Sequence, residues 1–163
     1  SRFGERFDDK IRILCERLPE VTSELMYFPE SPLTFVHGDF HVGNLFFRNR
    51  EVVAFDWQFP MWTVGAYDLG YFISQNLTVD DRRAHEEELI ALYRSTLAEA
   101  GVDYPMEQLM EDYRRVLLIC LMPQILAGGG MELVNDKAVQ LVVDRLDRVV
   151  ATINDHDAGE LMP

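Results

Sequence analysis

The chain has 163 residues, 48% of them hydrophobic, which is enough for one domain with a buried core and excludes intrinsic disorder. Its 28 acidic residues outnumber 15 lysines and arginines, and the resulting net charge of -13 repels nucleic acid and anionic membranes. A neutral or cationic partner suits that charge better, although an acidic surface also serves solubility alone.

Phe7, Ile11, Leu14, Cys15 and Leu18 recur at helical intervals from Arg6 to Leu18, and Pro19 is expected to interrupt this helix or open a second short piece towards Phe28. Pro29 and Pro32 end it. Leu33 to Val36, Leu45 to Phe47 and Val52 to Phe55 are short apolar runs that predict strands, with a polar turn from Arg48 to Glu51 between the last two. From Gly65 onward apolar residues return every three or four positions, so the pattern becomes helix after helix. Thr78 and Asp81 form a capping box ahead of the stripe Leu89, Leu92, Tyr93 and Leu97, which stops at Gly101. The run Glu86, Glu87, Glu88 reads as a solvated helix start favoured by the helix dipole. Met106, Leu109, Met110, Tyr113, Leu117 and Cys120 mark the next helix, apolar on most sides across Val116 to Met122 as a central helix should be, with a kink or end at Pro123. Gly128, Gly129 and Gly130 read as a helix stop rather than a phosphate loop, because no Lys-Ser or Lys-Thr follows. Ala138, Leu141, Val142, Leu146, Val149 and Ile153 make a last helix, and Asp155 to Pro163 reads as a frayed tail.

These elements predict an α+β, mainly α, single domain. A helical lead-in spans 1–32, a loop-bearing segment 33–60 and a helical subdomain 61–163. Cys15 and Cys120 sit inside apolar helical patterns and read as reduced core residues, which suits a cytoplasmic protein. No apolar run reaches the roughly 20 residues a membrane helix needs, and the chain opens without a signal-peptide core. Ser1 is not an initiator Met, so the sequence is expected to have lost something upstream.

The segment that carries chemistry is His37-Gly38-Asp39-Phe40-His41-Val42-Gly43-Asn44, set between two apolar strands. Asp39 and Asn44 are five positions apart across a loop with two glycines, so both side chains can reach one small volume. Asp56 ends the next strand in Ala54-Phe55-Asp56-Trp57-Gln58, 17 residues beyond Asp39. Phosphoryl transfer needs a group that orients the attacking hydroxyl and hard oxygen ligands that hold Mg²⁺ on the phosphates. Asp39, Asn44 and Asp56 are the right types in the order of a kinase catalytic loop followed by a metal-binding Asp. Two other assignments compete. Asp39 and Asn44 could cap turns, and His37, Asp39 and His41 could form a Zn²⁺ hydrolase site, although His85 and His156 give them no company.

The run His37-Gly38-Asp39-x-His41-x-x-Asn44 followed by Phe55-Asp56-Trp57-Gln58 resembles the catalytic and metal-binding motifs of the aminoglycoside phosphotransferase, choline kinase and ecdysteroid kinase-like superfamily. Gly38 and His41, where protein kinases carry Arg and usually Lys, favour the small-molecule branch. The resemblance implies the C-terminal lobe of a protein-kinase-like fold, with Asp39 as catalytic base, Asn44 and Asp56 holding Mg²⁺, and ATP or another nucleoside triphosphate as co-substrate. Gly65-Ala66-Tyr67-Asp68-Leu69-Gly70 resembles the family's Gly-x-x-Asp-Leu segment, which implies that Asp68 braces the catalytic loop. His37 and His41 are expected to support the loop. Trp57, Phe59 and Trp62, with Met61 among them, either stack on the acceptor or pack in the core. Asp103, Glu107, Glu111 and Asp112 lie on helices that wall the acceptor site in that family, and their alternative is a solvated face.

A complete kinase also needs a loop over the ATP phosphates and a Lys paired with a Glu. The only Lys ahead of the loop is Lys10, inside a helical pattern. The expectation is therefore a catalytic lobe without its N-terminal lobe, inactive alone, with a small-molecule hydroxyl acceptor and the missing lobe as partners and self-association through exposed apolar surface. The rival expectation is a non-catalytic, kinase-like binding module.

Overall fold

Ile11, Leu14, Leu18 and Leu25 share one helical face, and in the computed structural model they lie buried along a single helix, α1 (Asp9–Leu25). The structure describes residues 9–49, 51–130 and 136–163; Arg6 and Phe7, expected at the start of this helix, lie outside them. Pro19 does not interrupt α1. A proline forfeits one hydrogen bond and crowds the carbonyl one turn back, and buried leucines on both sides hold the helix together across it.

Strands β1 (Leu33–Val36), β2 (Leu45–Arg48) and β3 (Glu51–Ala54) follow the three apolar runs to within a residue or so. A fourth strand, β4 (Met61–Val64), stands where the sequence predicts the helical subdomain to begin. Its cause is not local. β4 pairs antiparallel with β1, from Leu33 opposite Val64 to Val36 opposite Met61, and so depends on a partner 25 or more residues away. β2 and β3 form a second antiparallel ribbon, Leu45 opposite Ala54 through Arg48 opposite Glu51. The loop leaving β1 enters β2, and the loop leaving β3 enters β4. Both motif-bearing loops therefore run between the same two ribbons.

The rest is helical: α2 (Ala66–Asn76), α3 (Val79–Glu99), α4 (Met106–Gly130), α5 (Asp136–Asp155) and a 3₁₀ turn at Ala158–Leu161. The chain is thus α+β and mainly α, as its periodicity predicts. Thr78 caps α3, its hydroxyl accepting from the Asp81 backbone N–H at 3.2 Å and donating to the Asp81 carboxylate at 2.7 Å. α4 is the central helix: Leu109, Tyr113 and every residue from Val116 to Leu121 are buried, and α1, α2 and α5 pack around it. At Gly70 the α2–α4 approach is so close that an added Cβ would stand 2.8 Å from a Val116 methyl.

Several details differ from the sequence pattern. Pro123 lies inside α4, which continues through Gly130, so this helix does not stop ahead of the three glycines. The side chain of buried Gln124, just past the proline, donates to Gln75 of α2 at 2.9 Å and ties that part of α4 to its neighbour. Leu92 and Leu141 point outward, 60% and 51% exposed, because the stripes they belong to are wider than the faces that pack. Glu86 lies in the middle of α3 and is buried rather than solvated, bonded to Tyr113 at 2.6 Å and to Arg82 at 2.5 Å. The C-terminal segment is not frayed. Ala158 is fully buried, and Arg114 donates to the carbonyls of His156 and Asp157, both at 2.8 Å. Among the described residues no helix is long and apolar enough to cross a membrane.

Candidate active site

Between the ribbons, the backbone of His37 and Gly38 is clasped by one carboxylate. Asp68, in the first turn of α2, accepts from the His37 N–H at 2.7 Å and the Gly38 N–H at 3.0 Å, one to each oxygen. Burial pushes the Asp68 carboxyl up, and the two backbone donors pull it back only in part. Gly38 holds φ at +81°, and a Cβ there would stand 2.0 Å from the Phe59 carbonyl oxygen, so the second loop presses directly on the first.

His37 is buried and joins the two loops. Its Nδ1 accepts from the Asp39 N–H at 3.3 Å, so the proton belongs on Nε2, which donates to the Phe55 carbonyl at 2.8 Å. With both nitrogens engaged by backbone, the ring has no lone pair to offer a metal. That arrangement argues against a Zn²⁺ site built on His37, and no cluster of three His, Cys, Asp or Glu side chains is assembled for a metal among the described residues.

The Asp39 carboxylate is gripped from two sides. Tyr71 of α2 donates its hydroxyl to Oδ1 at 2.6 Å, and the Asn44 amide donates to Oδ2 at 3.1 Å and to the Asp39 carbonyl at 3.0 Å. Both Asn44 contacts are to pure acceptors, which fixes its amide nitrogen towards Asp39 and turns its carbonyl oxygen away. Burial, first, and then the Asp39 hydrogen bond and charge push the Tyr71 phenol well above its ordinary value, so it stays a proton donor. His41 approaches Asp39 Oδ2 at 3.5 Å through Nε2, while its Nδ1 accepts from the Gly43 N–H at 3.0 Å. Burial lowers the His41 pKa; the Asp39 charge opposes the shift, and the Arg145 and His37 charges add to it. The end of the loop is tied to α2 where the Val42 N–H donates to the Asn76 side chain at 2.9 Å.

Asp56 follows β3 directly. The Phe55 N–H donates to the Asn44 carbonyl at 3.0 Å, a rung that brings Asn44 and Asp56 to the same end of the β2–β3 ribbon. Asp56 is exposed and holds φ at +63°, a left-handed conformation that non-glycine residues seldom adopt and that clusters at functional sites. An amide oxygen and a carboxylate at one ribbon end are hard donors of the kind Mg²⁺ uses together with substrate phosphates, so the residues present fit that ion.

The aromatic residues of the second loop and the start of β4 do not enter the core. Trp57, Phe59 and Trp62 are 49%, 57% and 68% exposed. Trp57 stacks on Phe35 at 6.1 Å and 5°, tilts against the His37 ring at 4.7 Å, and Phe35 faces Trp62 across the β1–β4 ribbon, so they form one open aromatic platform beside the loop. Of the four acids singled out on the helical side, Asp112 is buried and accepts from Tyr104 at 2.5 Å, which makes it part of the core and not a solvated face. Tyr71 escapes a sequence reading. It lies in an apolar helical run and gives no sign of its contact with Asp39.

A backbone-braced Asp, an Asn five residues on and an outlying Asp after the next strand define a kinase-like chain. It matches the ecdysteroid kinase-like family over residues 3–103, well over half its length, and belongs to that family. No curated protein and no solved structure matches it.

Proposed function

We propose that this chain carries the catalytic loop of a small-molecule phosphotransferase, which moves the γ-phosphoryl group of ATP or another nucleoside triphosphate to an acceptor hydroxyl. The observation that supports this best is the Asp39 carboxylate, held by Tyr71 and Asn44 at the mouth of a loop whose backbone Asp68 clasps. In this reading Asp39 accepts the hydrogen bond of the acceptor hydroxyl, aims its oxygen at phosphorus and takes its proton as the bond forms. His41 and His37 keep the loop's shape. Asn44 and Asp56 would hold Mg²⁺, which supplies charge neutralisation on the nucleotide phosphates. The platform of Phe35, Trp57 and Trp62, together with the exposed Phe59 ring, gives an apolar acceptor a surface to stack on, consistent with their exposure. A nucleotide-gripping lobe would pack against the same ribbons, beside Asp56.

The test is a screen of the longest natural chain containing these residues with Mg²⁺, labelled ATP and a panel of sterols, amino alcohols and sugars. The reading predicts a labelled phosphomonoester with at least one hydroxyl acceptor. Saturable binding of a panel member with no transfer to any would point instead to a binding module.

A further inference from the structure

α2 runs beside the catalytic loop and touches it in the same order along both. Asp68 holds the backbone of His37 and Gly38, Tyr71 holds the Asp39 side chain, and Asn76 holds the backbone of Val42. The outer contacts shape the loop's backbone. The middle one sets the direction of a carboxylate.

The Tyr71 ring is buried and lies nearly parallel to the Tyr67 ring, 6.4 Å away at 21°. A buried phenol ordinarily finds an acceptor, and two other tyrosines do so within the core: Tyr104 donates to Asp112 at 2.5 Å and Tyr113 to Glu86 at 2.6 Å. Those two carboxylates are themselves buried. The Asp39 side chain is 21% exposed, so the Tyr71 hydroxyl, 2.6 Å from Oδ1, ties the core to a carboxylate that a ligand can reach. That distance is in the range of a charge-assisted O–H to carboxylate bond.

The two Asp39 oxygens have different surroundings. Oδ1 faces α2 and receives the phenol. Oδ2 faces the loop, with the Asn44 amide nitrogen at 3.1 Å and the part-exposed His41 ring at 3.5 Å, longer than an ordinary hydrogen bond. The last torsion of an aspartate side chain is broad, and a donor on each oxygen stops it from turning.

We propose that Tyr71 is the positioning residue of this site: it occupies Oδ1 and so assigns Oδ2, the oxygen beside Asn44, to the acceptor hydroxyl. This rests on the phosphotransferase reading. The acceptor oxygen forms its bond to phosphorus, the bond from phosphorus to the leaving nucleoside diphosphate breaks with its electron pair going to the diphosphate, and the acceptor proton passes to Oδ2. Tyr71 keeps its own proton and acts through Asp39 alone. Its contribution is aim, and a misplacement of about 1 Å costs about 100-fold in rate.

The test compares wild type, Tyr71→Phe, Asp39→Asn and the double variant in the longest natural chain containing these residues. Tyr71→Phe removes one oxygen and keeps the packed ring. It is expected to lower kcat about 10- to 100-fold while the KM values of nucleotide and acceptor stay within about threefold of wild type. In the Asp39→Asn background the same substitution is expected to cost nothing more, because no carboxylate is left to aim. A packing role would lower turnover by the same factor in both backgrounds and would overturn the proposal, as would a Tyr71→Phe chain that fails to fold. A second readout needs no turnover: with tyrosine labelled at its hydroxyl-bearing carbon, the NMR signal that Tyr71→Phe removes is expected to shift in Asp39→Asn. An unmoved signal would overturn the contact. Transfer by wild type that Tyr71→Phe leaves unchanged refutes the positioning role alone. No transfer by wild type to any acceptor refutes the phosphotransferase reading and the positioning role with it.

Discussion

Gly38 shows how a single position holds the site together. Its φ of +81° lies where a side chain is strained, and the Phe59 carbonyl occupies the place of a Cβ. An alanine there meets the left-handed penalty of roughly 1–2 kcal/mol and a backbone clash besides. Gly38→Ala should therefore lower unfolding free energy by more than about 2 kcal/mol in a denaturant titration. It should also disturb the Asp68 clasp, seen as faster amide exchange at His37. A loss under about 0.5 kcal/mol, the range of an ordinary surface substitution, would contradict the close approach of the two loops. Asp39 and Asn44 were legible from sequence because five positions across a loop suffice to join them, and Asp56 because it directly follows the strand that pairs beside Asn44. Tyr71 was not, because a tyrosine in an apolar stripe acquires meaning only when α2 packs beside the loop.

At the scale of elements, α3 is joined to α5 by charge as well as by apolar contact. Arg82, only 2% exposed, pairs with Glu86 at 2.5 Å and with Asp155, which also takes Arg83 at 2.7 Å. Burial pushes the Glu86 carboxyl up, but bonds from His156 and Tyr113 and the Arg82 charge outweigh it and leave the group below its ordinary value. Asp155 is lowered as well, chiefly by its bond from Arg83. Carboxyls depressed in the folded chain add stability that is complete above their unfolded values, near pH 4, and is lost as pH falls through the folded ones. Thermal melting should therefore drop steeply below about pH 4. Glu86→Gln should cost about 3 kcal/mol at neutral pH, with a smaller deficit in acid; parallel melting curves at all pH values would contradict the pairing. The Glu86 to Glu88 run misled because three acids in a row look solvated, whereas one of them turns inward to meet Arg82 and Tyr113. β4 was missed for a related reason: four residues carry no period of their own, and pairing with β1 makes the strand. The long helices were legible because their buried faces repeat over many turns, strongly enough to carry α1 and α4 through Pro19 and Pro123.

At the scale of the molecule, two surfaces of different character meet at the catalytic loop. The helical side carries most of the acidic residues, in keeping with the net charge of -13. The ribbon side is apolar, with Phe46, Phe47, Val52 and Val53 all more than half exposed beside the Trp57 platform. Asp39 stands on the catalytic loop and is the residue on which the proposed chemistry depends. The most direct test is phosphoryl transfer from labelled ATP to an acceptor by the longest natural chain containing these residues, wild type against Asp39→Asn. The account predicts that the variant loses turnover by about 10³-fold or more and still binds nucleotide as wild type does. Turnover equal to wild type in Asp39→Asn would contradict it.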